Sequence, residues 1–369
     1  MKILFLADVN SSHTRKWVMG LRKNNIEVAI FSMSAPREDW YTNISVECVY
    51  FGADPSLQDK QSAFAKLSYL KAVKEVKSFV KKIQPDVVHA HYATSYGLLG
   101  ALCGRRPYII SVWGSDIQDF PYRSMVHKQV MRFIFNKADL ICSTSDSMLK
   151  DIDYVGAKRK VKLPFGINLE EFKVKTHIDK DVLHFGTVKT MDTVYGVDIL
   201  IRAFHKYLEQ TKRKDVLELY GKGPQMENLK DLVKVLGIDN SVHFHGYVNR
   251  VDIAEAYLNL DVYMSLSRRE SYGVAALEAS VSGLPLITSE AEGFKEVLVE
   301  GETGYRVEIE PLNLQLVVDK MMLLQNVELR KEIGLKGRER VVEFFNFEND
   351  IQQQIKIYRD LLDEGVCKE

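Results

Sequence analysis

Four cysteines in 369 residues, at positions 48, 103, 142 and 367, are too scattered for a metal-binding or disulfide framework, and they fit a reducing, cytoplasmic setting. No stretch reaches the uncharged length of a membrane span. The opening run, residues 1–8, is too short and too soon interrupted by charge for a signal peptide, and reads as a first strand. Long internal repeats and low-complexity segments are missing. So is the Gly-x4-Gly-Lys-Ser/Thr loop, and no Gly-x-Gly-x-x-Gly follows the first strand, which disfavours nucleotide hydrolysis and dinucleotide oxidoreduction. Asp151-Ile152-Asp153 is one isolated Asp-x-Asp, weak support for a metal-dependent transferase. Net charge is absent too, with 50 Lys+Arg against 50 Asp+Glu, but the balance hides an asymmetry. Residues 1–163 hold 24 basic and 15 acidic side chains, a net of +9, and the remainder carries −9. The first half is therefore expected to meet something anionic: a membrane surface, a lipid phosphate or a nucleic acid.

What is present is an ordinary globular composition, 46% apolar and 27% charged, on a chain longer than one core usually spans; two domains are predicted. Short apolar runs alternate with helical patterns. One series of strands reads as 2–7, 26–32, 46–51, 87–91, 108–112, 140–143 and 161–163. A second reads as 182–186, 216–220, 242–245, 262–266, 286–288 and 304–307. Such alternation predicts parallel sheets with helices on both faces, in two successive doubly wound units.

The stretch richest in chemistry runs from Glu270 to Pro285. It follows the apolar run 262–266, and Gly283 with Pro285 stops a short helix before the next strand. Gly273 lets backbone come close to a ligand, and the N–H groups of Gly273, Val274 and Ala275 sit at a helix start, a seat for phosphate. Glu270 and Glu278 flank it. Carboxylates repel phosphate, so they are expected to accept hydrogen bonds from hydroxyls on either side. A diphosphate with a sugar at each end fits that layout; two solvated glutamates on an amphipathic helix are the plain alternative.

This stretch resembles the Glu-x7-Glu signature of the retaining glycosyltransferases of family 4, which have the GT-B fold. The resemblance implies two doubly wound Rossmann-like domains facing each other across a cleft. Their bounds are expected as an acceptor-side domain over 1–165, a linker over 166–181, a nucleotide-sugar-binding domain over 182–345, and a last helix, 346–369, crossing back. It makes Glu278 the ribose ligand and Glu270 the sugar-side carboxylate, with Ser271, Tyr272, Gly273 and Val274 along the diphosphate. Other segments are similar to the family's patterns. Leu163-Pro164-Phe165-Gly166-Ile167-Asn168 matches its linker, with Phe165 where Asn is usual. Gly186-Thr187-Val188-Lys189 and Tyr195-Gly196 partly match its diphosphate segment, with Thr187 at the usual Arg and Tyr195 at the usual Lys. Lys189 is then the expected diphosphate clamp, with Arg268 or Arg269 as the source of a second charge. Gly221 and Val248 lie where the family admits the nucleotide.

In the first half, His91 ends a Pro-Asp-x-apolar-His-x-His segment and is the expected pocket residue, while a metal on His89 and His91 is not expected. Asp116 stands in a segment similar to Thr-x-His-Gly-x-Asp, with Trp113 at the histidine; it is the expected polar residue near the sugar, or else a cap for the next turn. Asn10, Ser11 and Ser12 replace the family's glycine-rich first loop on the acceptor side, with a plain capping loop as the alternative. The helix over 66–83 carries Lys66, Lys71, Lys74, Lys77, Lys81 and Lys82 against Glu75, either a solvated face or one resting on an anionic leaflet.

The reading that follows is a retaining, metal-independent hexosyltransferase with Lys189, Glu270 and Asp116 as catalytic candidates. It would take a UDP- or GDP-sugar as substrate, need no cofactor, and act on a glycan or lipid-linked acceptor in surface polysaccharide or glycolipid synthesis. Its expected place is cytoplasmic and peripheral on the inner face of a membrane, without nucleic-acid partners. A GT-B sugar-nucleotide epimerase and a non-catalytic nucleotide-sugar binder remain as alternatives.

Overall fold

The computed structural model describes residues 1–52, 63–157, 159–249, 252–310 and 313–365, with side chains in the helix Ala63–Ile83 from Lys71 onward. Cys367 and the side chains of Lys66, Leu67 and Leu70 lie outside the described residues. The chain forms two units, Met1–Pro164 with Glu348–Glu369, and Phe165–Phe347; the segment 166–181 lies with the second.

In the first unit, strands β1 (Lys2–Leu6), β2 (Glu27–Ser32), β3 (Glu47–Tyr50), β4 (Val87–His91), β5 (Tyr108–Val112), β6 (Leu140–Ser143) and β7 (Lys160–Lys162) form one sheet in the order β3-β2-β1-β4-β5-β6-β7. Every pairing is parallel. Central strands are buried on both faces, so they are written as near-continuous apolar runs such as Ile3-Leu4-Phe5-Leu6. Leu4, Leu6, Val88, Ala90, Ile110 and Val112 form one core with Val76 and Phe79 of the helix Ala63–Ile83, Leu99 of Tyr96–Cys103, and Met131, Ile134 and Phe135 of Met125–Lys137. The helix Phe347–Asp363 belongs to this unit, burying Ile351, Ile355, Tyr358 and Leu361; the Tyr358 hydroxyl bonds His89 Nδ1 at 2.8 Å.

The second unit repeats the plan. Strands β8 (His184–Val188), β9 (Val216–Tyr220), β10 (Val242–Gly246), β11 (Val262–Ser265), β12 (Leu286–Ser289) and β13 (Gly304–Val307) pair in parallel in the order β10-β9-β8-β11-β12-β13. Helices Val197–Thr211, Met226–Val235 and Leu314–Leu323 cover one face, where Phe185, Leu217, Leu219, Phe204 and Val317 meet. Among the described residues the largest fully buried side chain is Arg330, which donates to the carbonyls of Leu324 (2.7 Å), Gln325 (2.8 Å) and Ile178 (3.2 Å). In each sheet the order reverses once, between β1 and β4 and between β8 and β11. Ligand crevices of open parallel sheets form at the carboxyl ends of strands flanking such a reversal. Among the described residues no helix is long and apolar enough to cross a membrane.

Candidate active site

The reversal in the second sheet brings together residues 81 positions apart. Lys189 directly follows β8 and Glu270 stands in the loop after β11, and the Lys189 ammonium donates to the Glu270 carboxylate. Both side chains are 11% exposed. Burial pulls the Lys189 pKa down most strongly, but the charge and hydrogen bond of Glu270, with Tyr263 and Tyr195, together outweigh it and leave the amine pushed up to about 12. The ammonium also lies 4.7 Å from the ring centroid of Tyr195, a cation–π contact. An ammonium has three donors, so Lys189 can hold Glu270 and still reach an anion.

Four positions beyond Glu270 the helix Val274–Val281 begins. Gly273 precedes it with φ +88, which glycine adopts at little cost, and as the N-cap residue it brings no side chain of its own to the helix start. A β-carbon at Gly273 would lie 3.1 Å from the Phe294 ring, so the position is tight as well as left-handed. The N–H groups of the first turn thus point their positive end out of the sheet beside the Lys189–Glu270 pair in sequence and strand order. The loop is braced from behind, where the Gly293 N–H donates to the Glu270 carbonyl at 3.0 Å. One turn into the helix, Glu278 is 4% exposed and its Oε2 accepts the Tyr257 hydroxyl at 2.9 Å. Ser271 and Val274 are half-buried, and Tyr272 is buried.

The loops after β8, β9 and β10 are fastened to each other. Gly221 has φ +139, and a β-carbon there would lie 1.8 Å from the Lys189 carbonyl oxygen; its N–H donates to the Gly246 carbonyl at 2.7 Å. Gly221 therefore sets the approach of the loop bearing Lys189, and Val248 follows in the half-exposed chain after β10. Gly186 differs from its expected role. It lies inside β8, where a β-carbon would stand 2.5 Å from both the Glu218 carbonyl oxygen and a Leu260 methyl, so its missing side chain serves strand packing.

Arg268 also differs. Its Nη1 and Nη2 donate to Asp198 Oδ1 and Oδ2, each at 2.8 Å, and Nη1 reaches the Thr193 carbonyl at 2.6 Å. This bidentate clasp ties the β11 loop to the start of the helix Val197–Thr211, and the guanidinium's charge is spent there.

In the first unit, Asp116 is fully buried. Its Oδ2 accepts the Ala93 N–H at 2.8 Å and its Oδ1 those of Trp113 (3.1 Å) and Gly114 (2.9 Å). It holds two loop ends together, an arrangement that matches the capping alternative. Burial raises its pKa, partly offset by those amides. Asn10 is likewise occupied, donating to the Ala35 carbonyl at 2.9 Å and accepting the Arg37 N–H at 2.8 Å. Ser11 caps the helix Ser12–Lys23, and Ser12 is exposed. His91 is 2% exposed, against Phe5 (4.5 Å) and Trp113 (4.6 Å), with no hydrogen bond to Nδ1. Burial, then the neighbouring His89 and His13, keep it well below the ordinary histidine pKa and hence neutral. His89 is committed to Tyr358 and to Ser111 Oγ, the latter at 2.8 Å.

One cluster was not legible in the sequence as a cluster. Glu218 on β9 accepts from His184 (2.9 Å), His243 (3.1 Å) and His245 (2.6 Å) on the flanking strands. Burial would raise its pKa, but the three histidine bonds bring it down to about 2.

Two parallel units, the second bearing a cation and two carboxylates around a glycine-started helix at its reversal point, define a transferase of the GT-B class. Comparison with known proteins gives the same class. Residues 2–145 match the family model described as "Glycosyl transferase 4-like" and residues 168–340 the one described as "Glycosyl transferases group 1". The chain is 29% identical over 296 residues to N-acetyl-alpha-D-glucosaminyl L-malate synthase of Bacillus anthracis, covering 75% of each. It is 30% identical over 299 residues to an uncharacterised glycosyltransferase of Methanocaldococcus jannaschii, covering 74% of this chain and 75% of the relative. The structure of Anabaena HepE in complex with UDP and glucose superposes with a TM-score of 0.79 at 17% identity, over 98% of this chain and all of the other. The chain belongs to the GT-B glycosyltransferases of the family 4 type. The epimerase and non-catalytic alternatives draw no support from these relatives.

Proposed function

We propose that this glycosyltransferase is a retaining, metal-independent enzyme that carries a hexose from a UDP-sugar, or failing that a GDP-sugar, to a glycan or lipid-linked acceptor. The observation that carries the reading is the buried Lys189–Glu270 pair in the loops that lead to the glycine-started helix Val274–Val281. Cleavage of the sugar–phosphate bond builds negative charge on the departing diphosphate. The Lys189 ammonium and the N–H groups of Gly273 and Val274 are preorganised donors for it, with Ser271 and Tyr272 in the same loop. Glu278, steadied by Tyr257, is assigned to the ribose hydroxyls. Glu270 can accept from a sugar hydroxyl while keeping Lys189 in place. With no base needed beyond the leaving phosphate, same-face attack and retention follow. The complex of the structurally similar HepE with UDP and glucose favours a uridine donor.

The acceptor is assigned to the first unit. The lysines 71, 74, 77, 81 and 82 on its helix Ala63–Ile83 are exposed, so an anionic membrane at its inner, cytoplasmic face is the proposed setting. Calorimetry with UDP- and GDP-sugars, with and without a chelator, tests the donor reading. One donor should bind whether or not metal is present, and Glu278→Ala and Lys189→Ala should each abolish both binding and diphosphate release. Unchanged donor binding and turnover in these variants would refute the assignment.

A further inference from the structure

Next to the lysine-rich helix, on the same face of the first sheet, the surface changes character. The helix Met125–Lys137 turns Met131, Ile134 and Phe135 into the core, yet leaves Met125 (68% exposed), Val126 (71%), Val130 and Phe133 (41%) outside. With Leu98 of the neighbouring helix Tyr96–Cys103 and Gln129 they line a shallow groove that is almost wholly apolar. Single exposed apolar residues need no explanation, but a contiguous set marks an interaction site. The charges around it are mainly basic, although the adjoining helix Asp146–Val155 carries Asp146, Asp151 and Asp153, and Asp151 accepts the Tyr122 hydroxyl. From Phe120 to Ala138 there are four cations, Arg123, Lys128, Arg132 and Lys137, and no acid. The helix Tyr96–Cys103 carries no charge, and beyond it Lys71, Lys74, Lys77, Lys81 and Lys82 outnumber Glu75 on their own helix, with Lys82 paired to Glu47 at 2.5 Å. All three helices pack on the same core cluster, so the apolar groove and the cations share one surface.

An apolar strip set in a field of exposed lysine and arginine is the pattern of a surface that enters the headgroup layer of an anionic bilayer. A second copy of the chain fits poorly, because a two-fold contact through this groove would press the same cationic helices against each other. We infer that Met125, Val126, Val130 and Phe133 form an insertion surface for anionic lipid, with the cations of Ala63–Ile83 and Met125–Lys137 gathering around lipid phosphates. This deepens the membrane-facing reading above and rests on it for direction. It moves the apolar contact from the lysine helix to the helix two positions further along the sheet face.

The test is co-sedimentation of the full chain with vesicles of phosphatidylglycerol and phosphatidylcholine, and with vesicles of phosphatidylcholine alone, at low and high salt. Binding is expected only to the anionic vesicles, with a fraction surviving high salt through the apolar groove. Met125→Glu/Val126→Glu, at two of the most exposed apolar positions, should lower vesicle binding on the order of tenfold and remove the salt-resistant part. Lys74→Glu/Lys77→Glu should remove the salt-sensitive part. Donor binding without vesicles is measured on the same samples and should stay unchanged, so failure of the donor reading and failure of this one are told apart. The inference is overturned if wild-type protein ignores anionic vesicles. It is overturned equally if binding is lost completely in salt with Met125→Glu/Val126→Glu behaving as wild type, which leaves a purely electrostatic contact. A wild-type dimer that this double variant splits would make the groove a self-association face. Should the double variant melt early, the salt-resistant fraction of the wild type decides alone.

Discussion

Lys189→Met removes the cation from a pair whose two side chains are each 11% exposed. Methionine keeps the volume and the aliphatic stem, so the loss is electrostatic. Stranding one member of a buried pair costs about 3–5 kcal/mol. In the wild type, Lys189 is raised to about 12, so its contribution is fully present below the ordinary lysine pKa and is lost only as pH climbs toward 12. The deficit of Lys189→Met should therefore be present in full at pH 7. Adding Glu270→Gln should recover most of the loss, because the stranded charge goes with it, while donor binding stays absent. Thermal and urea unfolding at pH 7, with calorimetry for the donor, separates the two effects. A Lys189→Met protein as stable as wild type, or a double variant no more stable than the single one, refutes the buried-pair account.

Arg330→Leu deletes a guanidinium that satisfies three backbone carbonyls in the core and should destabilise the second unit by about 3–5 kcal/mol in urea titrations, against a much smaller effect for Lys331→Leu on the surface. The Glu218 carboxylate, depressed to about 2, contributes stability that is complete above its unfolded pKa and fades as pH falls from about 4.5 toward 2; Glu218→Gln should flatten that part of an acid-unfolding curve. Gly221→Ala puts a β-carbon 1.8 Å from the Lys189 carbonyl oxygen, so it should weaken donor binding at least tenfold by moving the Lys189 loop. Gly301→Ala, also left-handed at φ +74 but with nothing within 4 Å, should cost only about 1 kcal/mol and leave donor binding alone.

All thirteen strands were legible, because a strand buried on both faces is a short apolar run and the turns between runs break the pattern; 87–91, 108–112, 140–143, 216–220 and 304–307 agree residue for residue. The edge strand Lys160–Lys162 shifted by one, as fits a half-buried strand with lysines at both ends. Glu270, Lys189 and the helix start were readable because their spacing from strand ends is fixed locally. What one residue does with its partner across the fold was not. Arg268 sits two positions from Glu270, and nothing near it in sequence announces Asp198, which holds it from a helix seventy residues earlier. For Asp116 and Asn10 the sequence left a ligand group or a cap open, and the bonds each makes run to a different loop that local spacing does not announce. Gly186 looked like a phosphate glycine until Leu260 and the β9 backbone were seen to press on it.

The helix Phe347–Asp363 has a bearing on how the protein is made. The first unit is written in two instalments, residues 1–164 and then 348 onward, with the whole second unit between them. During synthesis the second unit has all its strands and can close while the first still waits for Ile351, Ile355, Tyr358 and Leu361 to cover its sheet and for a hydroxyl to reach His89. A ribosome that stops short of residue 347 therefore releases one finished half and one with an open apolar flank, the state that chaperones and proteases recognise. Quality control of this chain is thus weighted toward its final helix.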